Sequence, residues 1–300
     1  MIELAKQRGA DPLSERTHIL LATLGGQPQV VTFTLDLLLK EYPISEVIVL
    51  HPKASTDRLR RSVACLQAEF VGDYYRVAER VIHFRSQVLQ VDGQPMDDIA
   101  TNLHADGTLD TIHQLIGDLK RQGHHIHLSV SGGRRLMSLL AISVATLNFD
   151  RYDHIWHIYT PQEIRDRANQ GAIMHVPPDA GVRLIQGPFI ALGNYTYSHA
   201  PSFRTAQQEQ LSQMEAQERT HCTQVVNEAS PSQRRVLQAF GRGLRTQQVA
   251  IELGISLATV HSHKTVLLQL CRNTWNIQAD EPLGYHFLQT KFAGYFDHTE

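Results

Sequence analysis

Two glycine pairs stand out for the chemistry they permit. The first lies in Thr23-Leu24-Gly25-Gly26-Gln27-Pro28-Gln29. The second lies in Ser129-Val130-Ser131-Gly132-Gly133-Arg134-Arg135-Leu136-Met137-Ser138. Each follows a short apolar run and precedes a stretch with helical spacing. Glycines at such a junction let a ligand approach the backbone, and the helix that follows presents unpaired amides and the positive end of its dipole. Thr23 and Ser131 add hydroxyls, while Arg134 and Arg135 add fixed positive charge. The ligand these groups suit is an anion that carries phosphates.

The elements that must hold these turns read as alternating strands and helices. His18 to Leu24 is apolar enough for a buried strand. Val30 to Lys40 has helical periodicity behind Pro28, which a first helical turn tolerates. Glu46 to Leu50 predicts a second strand, and Ser55 a cap for a helix reaching about Phe70. A weaker strand is expected at Val81–Phe84 and a helix at Thr108–Gln122. Strands follow at His125–Val130 and His154–Tyr159, with an apolar helix between them at Arg134–Leu147. Strand runs too apolar for a one-sided sheet predict a parallel sheet covered on both faces, the α/β architecture of a Rossmann-like domain.

Several classes are excluded. At 300 residues with 42% hydrophobic and 19% charged content, the chain is an ordinary folded protein of two domains. No run approaches the roughly 18 apolar residues of a membrane helix. The first residues, MIELAKQRGADPLSERTH, lack a secretory core, so the expected location is the cytoplasm and no membrane partner is expected. Cys65, Cys222 and Cys271 are isolated, which argues against a disulfide framework or a thiolate zinc site. The 17 histidines include His124, His125 and His127, and His154 with His157. No carboxylate or cysteine completes a ligand set, so neither a metal nor another cofactor is expected. These histidines are expected to be hydrogen-bonded or exposed, and which of them touches a ligand is left open. Tyr74, Tyr75 and Trp156 are expected in packing rather than base stacking. GxGxxG, a Walker A loop and a GxSxG elbow are all missing.

Beyond Ala200 the composition changes. Arg204 to Thr220 holds five glutamines and reads as a polar helix or linker. The expected division is therefore 1–200, 201–229 and 230–300, the last all-helical. Between Ser230 and Asn273 six basic residues face one acid, Glu252, whereas the rest of the chain carries 22 basic and 29 acidic residues. A cationic module on an acidic body suits double-stranded DNA as a partner. Ser230-Pro231 starts a first helix whose Val236, Leu237 and Phe240 share a face. Thr246 to Leu253 predicts a second, with Val249, Ala250 and Leu253 inward. Gly254-Ile255-Ser256 turns into a third, Leu257 to about Leu270, which hides Val260, Val266 and Leu267. Thr259, His261, Ser262, His263 and Lys264 are the candidate DNA contacts of this third helix.

The segment SPSQRRVLQAFGRGLRTQQVAIELGISLATVHSHKTVLLQL resembles the LuxR-type helix-turn-helix, which implies DNA binding as a dimer. A phospho-receiver domain often precedes that module. The body here differs, because its first strand ends Ala22-Thr23-Leu24-Gly25-Gly26 without an acid. Instead ILLATLGGQPQVVTFTLDLLL, SVSGGRRLMSLLAISVA and HVPPDAGVRLIQGPFIAL resemble the CARF family, CRISPR-associated Rossmann-fold sensors, and its ring-nuclease branch in particular. The resemblance implies a homodimer that holds a cyclic oligoadenylate, most often cyclic tetra-adenylate, on its two-fold axis. Thr23, Gly25, Gly26, Ser131, Gly132, Gly133 and Arg134 are then the ligand-binding residues. It also implies metal-independent cleavage, in which a ribose 2′-hydroxyl attacks its own 3′-phosphate. Arg135 stands where that branch has a lysine and Gln27 where it has a serine, so these two are the candidates for cleavage. The alternative is a regulator that binds the ring without turning it over.

Overall fold

The computed structural model describes residues 17–189 and 200–296. Residues 1–16 of the N-terminal segment and 190–192 of the third CARF-like segment lie outside them. The chain divides into two compact units between Gln207 and Gln208.

The first unit is built on strands β1 (His18–Thr23), β2 (Ile44–His51), β3 (His83–Val88), β4 (His125–Ser129), β5 (His154–Tyr159) and β6 (Arg183–Gly187). Their spatial order is β6-β5-β4-β1-β2-β3. All neighbours are parallel except β6, which runs antiparallel to β5. This is the doubly wound order, and its direction reverses between β1 and β4. Both glycine turns leave the sheet at that reversal.

Strand periodicity explains the uniformly apolar β1. Ile19 and Leu21 join one core with Ile48, Leu50, Ile126 and Leu128, under α3 (Asn102–Arg121) and α4 (Arg135–Asn148). Leu20 and Ala22 join the opposite core with Val47 and Val49, under α1 (Gln29–Leu38) and α2 (Asp57–Glu69). A buried cluster locks α3 to the sheet: Lys120 Nζ lies 2.9 Å from Asp150 Oδ2 and 2.6 Å from Asp153 Oδ2.

Three local expectations shift. Thr56 rather than Ser55 caps α2, its hydroxyl accepting from Leu59 N at 3.3 Å. The third strand starts at His83, because Val81 instead pairs with Tyr74 in a small hairpin. The glutamine-rich stretch belongs to a longer helix, α6 (Phe203–Glu228), which follows the short α5 (Gln162–Arg167).

The second unit is helical throughout its described residues. Its core joins Cys222, Val225 and Ala229 of α6 to α7 (Pro231–Gly241), α8 (Thr246–Leu253), α9 (Leu257–Thr274) and α10 (Tyr285–Phe292). Ser230 and Gln233 form a capping box on α7. Gly254 ends α8 with φ +62°, and Ser256 then caps α9 by accepting from Thr259 N at 3.1 Å.

Candidate functional site

The two glycine turns touch. Thr23 Oγ1 donates to Gly132 O at 2.7 Å, and a β-carbon on Gly132 would collide with Thr23 O. Gly133 has φ +72°, a conformation glycine adopts without strain. Ser138, in the first turn of α4, donates to Val130 O at 2.9 Å and fixes the second turn from below.

Above them opens a cleft of about 680 Å³ lined by both turns, by the segment between β2 and α2, and by the end of β5. Lys53, Arg58, Arg134 and Arg165 line it, against a single acid, Asp97. Arg134 is held by Asp98 at 2.7 Å. The Arg58 side chain occupies the space a β-carbon on Gly26 would need. Neither Lys53 nor Arg58 has an ion-pair partner among the described residues, so their charges remain available to an anion.

Of the residues expected from sequence, Gly25, Gly26, Gln27, Ser131, Gly132, Gly133 and Arg134 line this cleft. Thr23 does not: it is buried beneath and braces the second turn. Arg135 is exposed in the first turn of α4 and is not among the cleft's lining residues. The Gln27 amide is occupied at both ends. It donates to Asn169 Oδ1 at 2.7 Å, and its oxygen accepts from Gln29 Nε2 at 2.7 Å and Gln170 N at 2.9 Å. Gln27 thus ties the first turn to the cleft wall that follows α5.

Sequence reasoning missed Lys53, Arg58, Thr56 and Arg165, and left His157 unassigned. A signal was present for Lys53 and His157. Both follow or end parallel strands, and the carboxyl ends of parallel strands share one edge with the glycine turns. Trp156 is buried in the core and Tyr75 fully so, as expected, whereas Tyr74 is exposed.

The histidines at the other end of the sheet form a contact cluster. His18 Nδ1 lies 2.9 Å from His127 Nε2, and Trp156 Nε1 donates to His127 Nδ1 at 3.1 Å. Burial first, then the neighbouring His154, His18 and His125, push the His127 imidazole down to about 3. No group that could hold a metal ion occurs among the described residues.

In the second unit, Ser262 and His261 are exposed on α9, and Thr259, His263 and Lys264 are half-buried. Lys264 Nζ lies 3.4 Å from His261 Nδ1, away from Ser262 around the helix. Thr265 and Gln269 extend the exposed face at i+3 and i+7 from Ser262. Val266, expected inside, is exposed, because the buried row runs Val260, Leu267, Cys271 and residue 266 sits one step off it. Arg242 pairs with Glu252 at 2.5 Å, which neutralises the one acid of this stretch. Arg235 and Arg245 are exposed.

Residues 27–222 match the family model described as CRISPR-associated protein NE0113. Residues 229–270 match the bacterial regulatory proteins of the luxR family. No curated protein matches the chain. Among solved structures it is similar to protein VC1899 from Vibrio cholerae, with 18% identity and a TM-score of 0.31 over 47% of this chain and 30% of that one. It is also similar to Csm6 from Enterococcus italicus bound to cyclic hexa-2′-fluoro-hexa-dAMP, with 10% identity and a TM-score of 0.35 over 94% of this chain and 78% of that one. Can2 from Sulfobacillus thermosulfidooxidans, in complex with cyclic tetra-adenylate, gives 12% identity and a TM-score of 0.30 over 94% and 65%. The chain thus spans less than a third of the length of VC1899. Among the described residues no helix is long and apolar enough to cross a membrane.

Proposed function

The chain belongs to the CRISPR-associated protein NE0113 family and carries a luxR-type helix-turn-helix, and from that premise we propose that it is a cytoplasmic sensor which binds cyclic oligoadenylate and answers on DNA. Residues 1–200 form the sensing domain, 201–229 the helical connector and 230–300 the DNA-binding domain. One observation carries the ligand reading: two glycine turns from distant parts of the sequence meet at the reversal point of the sheet, under a cleft with four basic residues and one acid. Exposed glycine backbone and unpaired cations are what a chain of phosphates requires. Cyclic tetra-adenylate is the expected ring, since two symmetric subunits each meet one half of it.

A homodimer is supported by apolar surface beside the cleft. Leu136 and Leu139 on α4 are 42% and 61% exposed. On the sheet face that α4 covers, Tyr159 and Ile185 at the β5–β6 edge are 40% and 45% exposed. A second copy of the chain would cover this surface and place two clefts about one axis.

The test is calorimetric binding of cyclic tri-, tetra- and hexa-adenylate to the full chain, followed by DNA affinity with and without the tightest ring over a salt series. Binding of a ring and a shift in DNA affinity are expected. No binding to any ring refutes the sensor, and equal DNA affinity in both states refutes the coupling.

A further inference from the structure

Binding alone does not account for one pair of side chains in the cleft. Ser131 Oγ accepts the Ile158 backbone N–H at 2.7 Å and lies 3.1 Å from His157 Nδ1. The amide takes one lone pair of Oγ, and in the His157 tautomer protonated on Nε2 the hydroxyl proton goes to Nδ1. Both side chains line the cleft. His157 is the one imidazole among its lining residues, and a neutral imidazole nitrogen can accept a proton from a hydroxyl. The charged groups that line the cleft with it are Lys53, Arg58, Arg134, Arg165 and Asp97. The two residues that the ring-nuclease resemblance nominates lack this capacity. Gln27 is a neutral amide with no basic site and is spent on Asn169 and Gln170, and Arg135 stands outside the cleft.

We infer that Ser131 and His157 form a proton relay that cleaves the bound ring, an inference that rests on the cyclic oligoadenylate reading above. Ser131 Oγ takes the proton of a ribose 2′-hydroxyl as it passes its own proton to His157 Nδ1. The freed 2′-oxygen bonds to the adjacent 3′-phosphorus, and the bond from phosphorus to the 5′-oxygen breaks. The departing oxygen takes a proton from water, and the hydroxide left behind takes the proton that His157 gained. The products are a 2′,3′-cyclic phosphate and a 5′-hydroxyl, with no covalent intermediate and no net use of water. Lys53 and Arg58 offset the charge that builds on the phosphate oxygens.

The experiment incubates the full chain with cyclic tetra-adenylate in EDTA and separates the products by chromatography, with binding measured in parallel. The wild type is expected to bind the ring and release linear products ending in a cyclic phosphate. His157→Ala, at an exposed position, is expected to lose about 100-fold or more in kcat with little change in KM or Kd. Ser131→Ala should behave alike, and Ser131→Thr, which keeps the hydroxyl, should recover part of the rate. Binding without cleavage by the wild type overturns the relay and leaves the sensor intact. So does cleavage that His157→Ala leaves unchanged. Failure of the wild type to bind any ring overturns the sensor reading itself.

Discussion

A β-carbon placed on Gly25 would come within 2.9 Å of the Gly133 α-carbon and 3.0 Å of its nitrogen. The obstacle is backbone on both sides, so no rotamer change relieves it. Gly25→Ala must push the two turns apart, and overpacking of this kind costs about 1–3 kcal/mol. Chemical denaturation should report that loss, together with weaker ring binding. Gly284→Ala is the control, because a β-carbon there meets nothing within 4 Å and the backbone has φ −124°. Unchanged ring affinity in Gly25→Ala would mean that this contact does not shape the cleft.

The cations of the cleft differ in what they have left to give. Arg134 already pairs with Asp98, whereas Arg58 has no ion pair among the described residues and lies against Gly26. Arg58→Ala should therefore weaken a polyanion about tenfold or more, from the loss of one charge-assisted contact. Arg58→Lys should recover part of the charge but not the planar fork. Titration of cyclic tetra-adenylate at two salt concentrations checks this: the wild-type affinity should fall more steeply with salt than that of Arg58→Ala. Equal slopes would place the phosphates elsewhere.

Much of this architecture was legible in the residues, for physical reasons that vary by element. β1 and β2 are apolar on both faces, and only a sheet covered twice accounts for that. The Ser230 capping box and the Gly254 turn are local chemistry, so sequence was enough to place α7, α8 and the start of α9. Arg58 was not legible. It reaches the first glycine turn from α2, and nothing in its own neighbourhood marks that approach. Gln27 stands as a candidate for cleavage in the sequence because the partners that occupy its amide, Asn169 and Gln170, are far along the chain. Val266 went astray by one residue, since a 100° step moves a side chain from the buried row to solvent.

The histidine cluster predicts an acid-sensitive fold. His127 is fully buried and its imidazole stays neutral down to about 3, whereas in the unfolded chain it protonates near its ordinary value of 6.5. Between those values the unfolded state binds the extra proton. The stability of the neutral buried ring is thus present above about pH 6.5 and is lost as pH falls toward 3, by up to about 1.4 kcal/mol per pH unit. Burial lowers His18 and His154 as well, with the same sign. His175 runs the other way: its hydrogen bond to Asp36 raises it, so its contribution is present at low pH and lost as pH rises. The urea midpoint should fall between pH 7 and pH 5, less so in His127→Gln. A flat midpoint would contradict a buried neutral ring.

Leu139 is the most exposed large apolar side chain of α4. If a second copy covers α4 beside the β5–β6 edge, Leu139→Glu buries a charge at the contact and should convert the dimer to monomer in sedimentation. Because half of the ring would lose its partner surface, binding of cyclic tetra-adenylate should weaken together with association. A monomeric wild type would remove the two-fold argument for the ring. A dimer indifferent to this charge would place the interface on another face.

The exposed row of α9 sets the last expectation. Ser262 and Thr265 lie at i and i+3 in the middle of the solvent face, whereas Lys264 lies round the helix beside His261. A recognition helix reads base edges with the residues that face outward, and residues at its flank contact phosphates. Ser262→Ala with Thr265→Ala should therefore cost about 1–3 kcal/mol on a specific operator selected from genomic fragments and little on random duplex. Lys264→Ala should weaken both duplexes alike and reduce the salt slope by about one. Arg245→Ala, at an exposed cation that precedes α8, should act as Lys264→Ala does. Competition binding at several salt concentrations separates these classes. An equal loss on both duplexes for the Ser262 and Thr265 pair would turn the reading around, with α9 presenting its other edge to the groove.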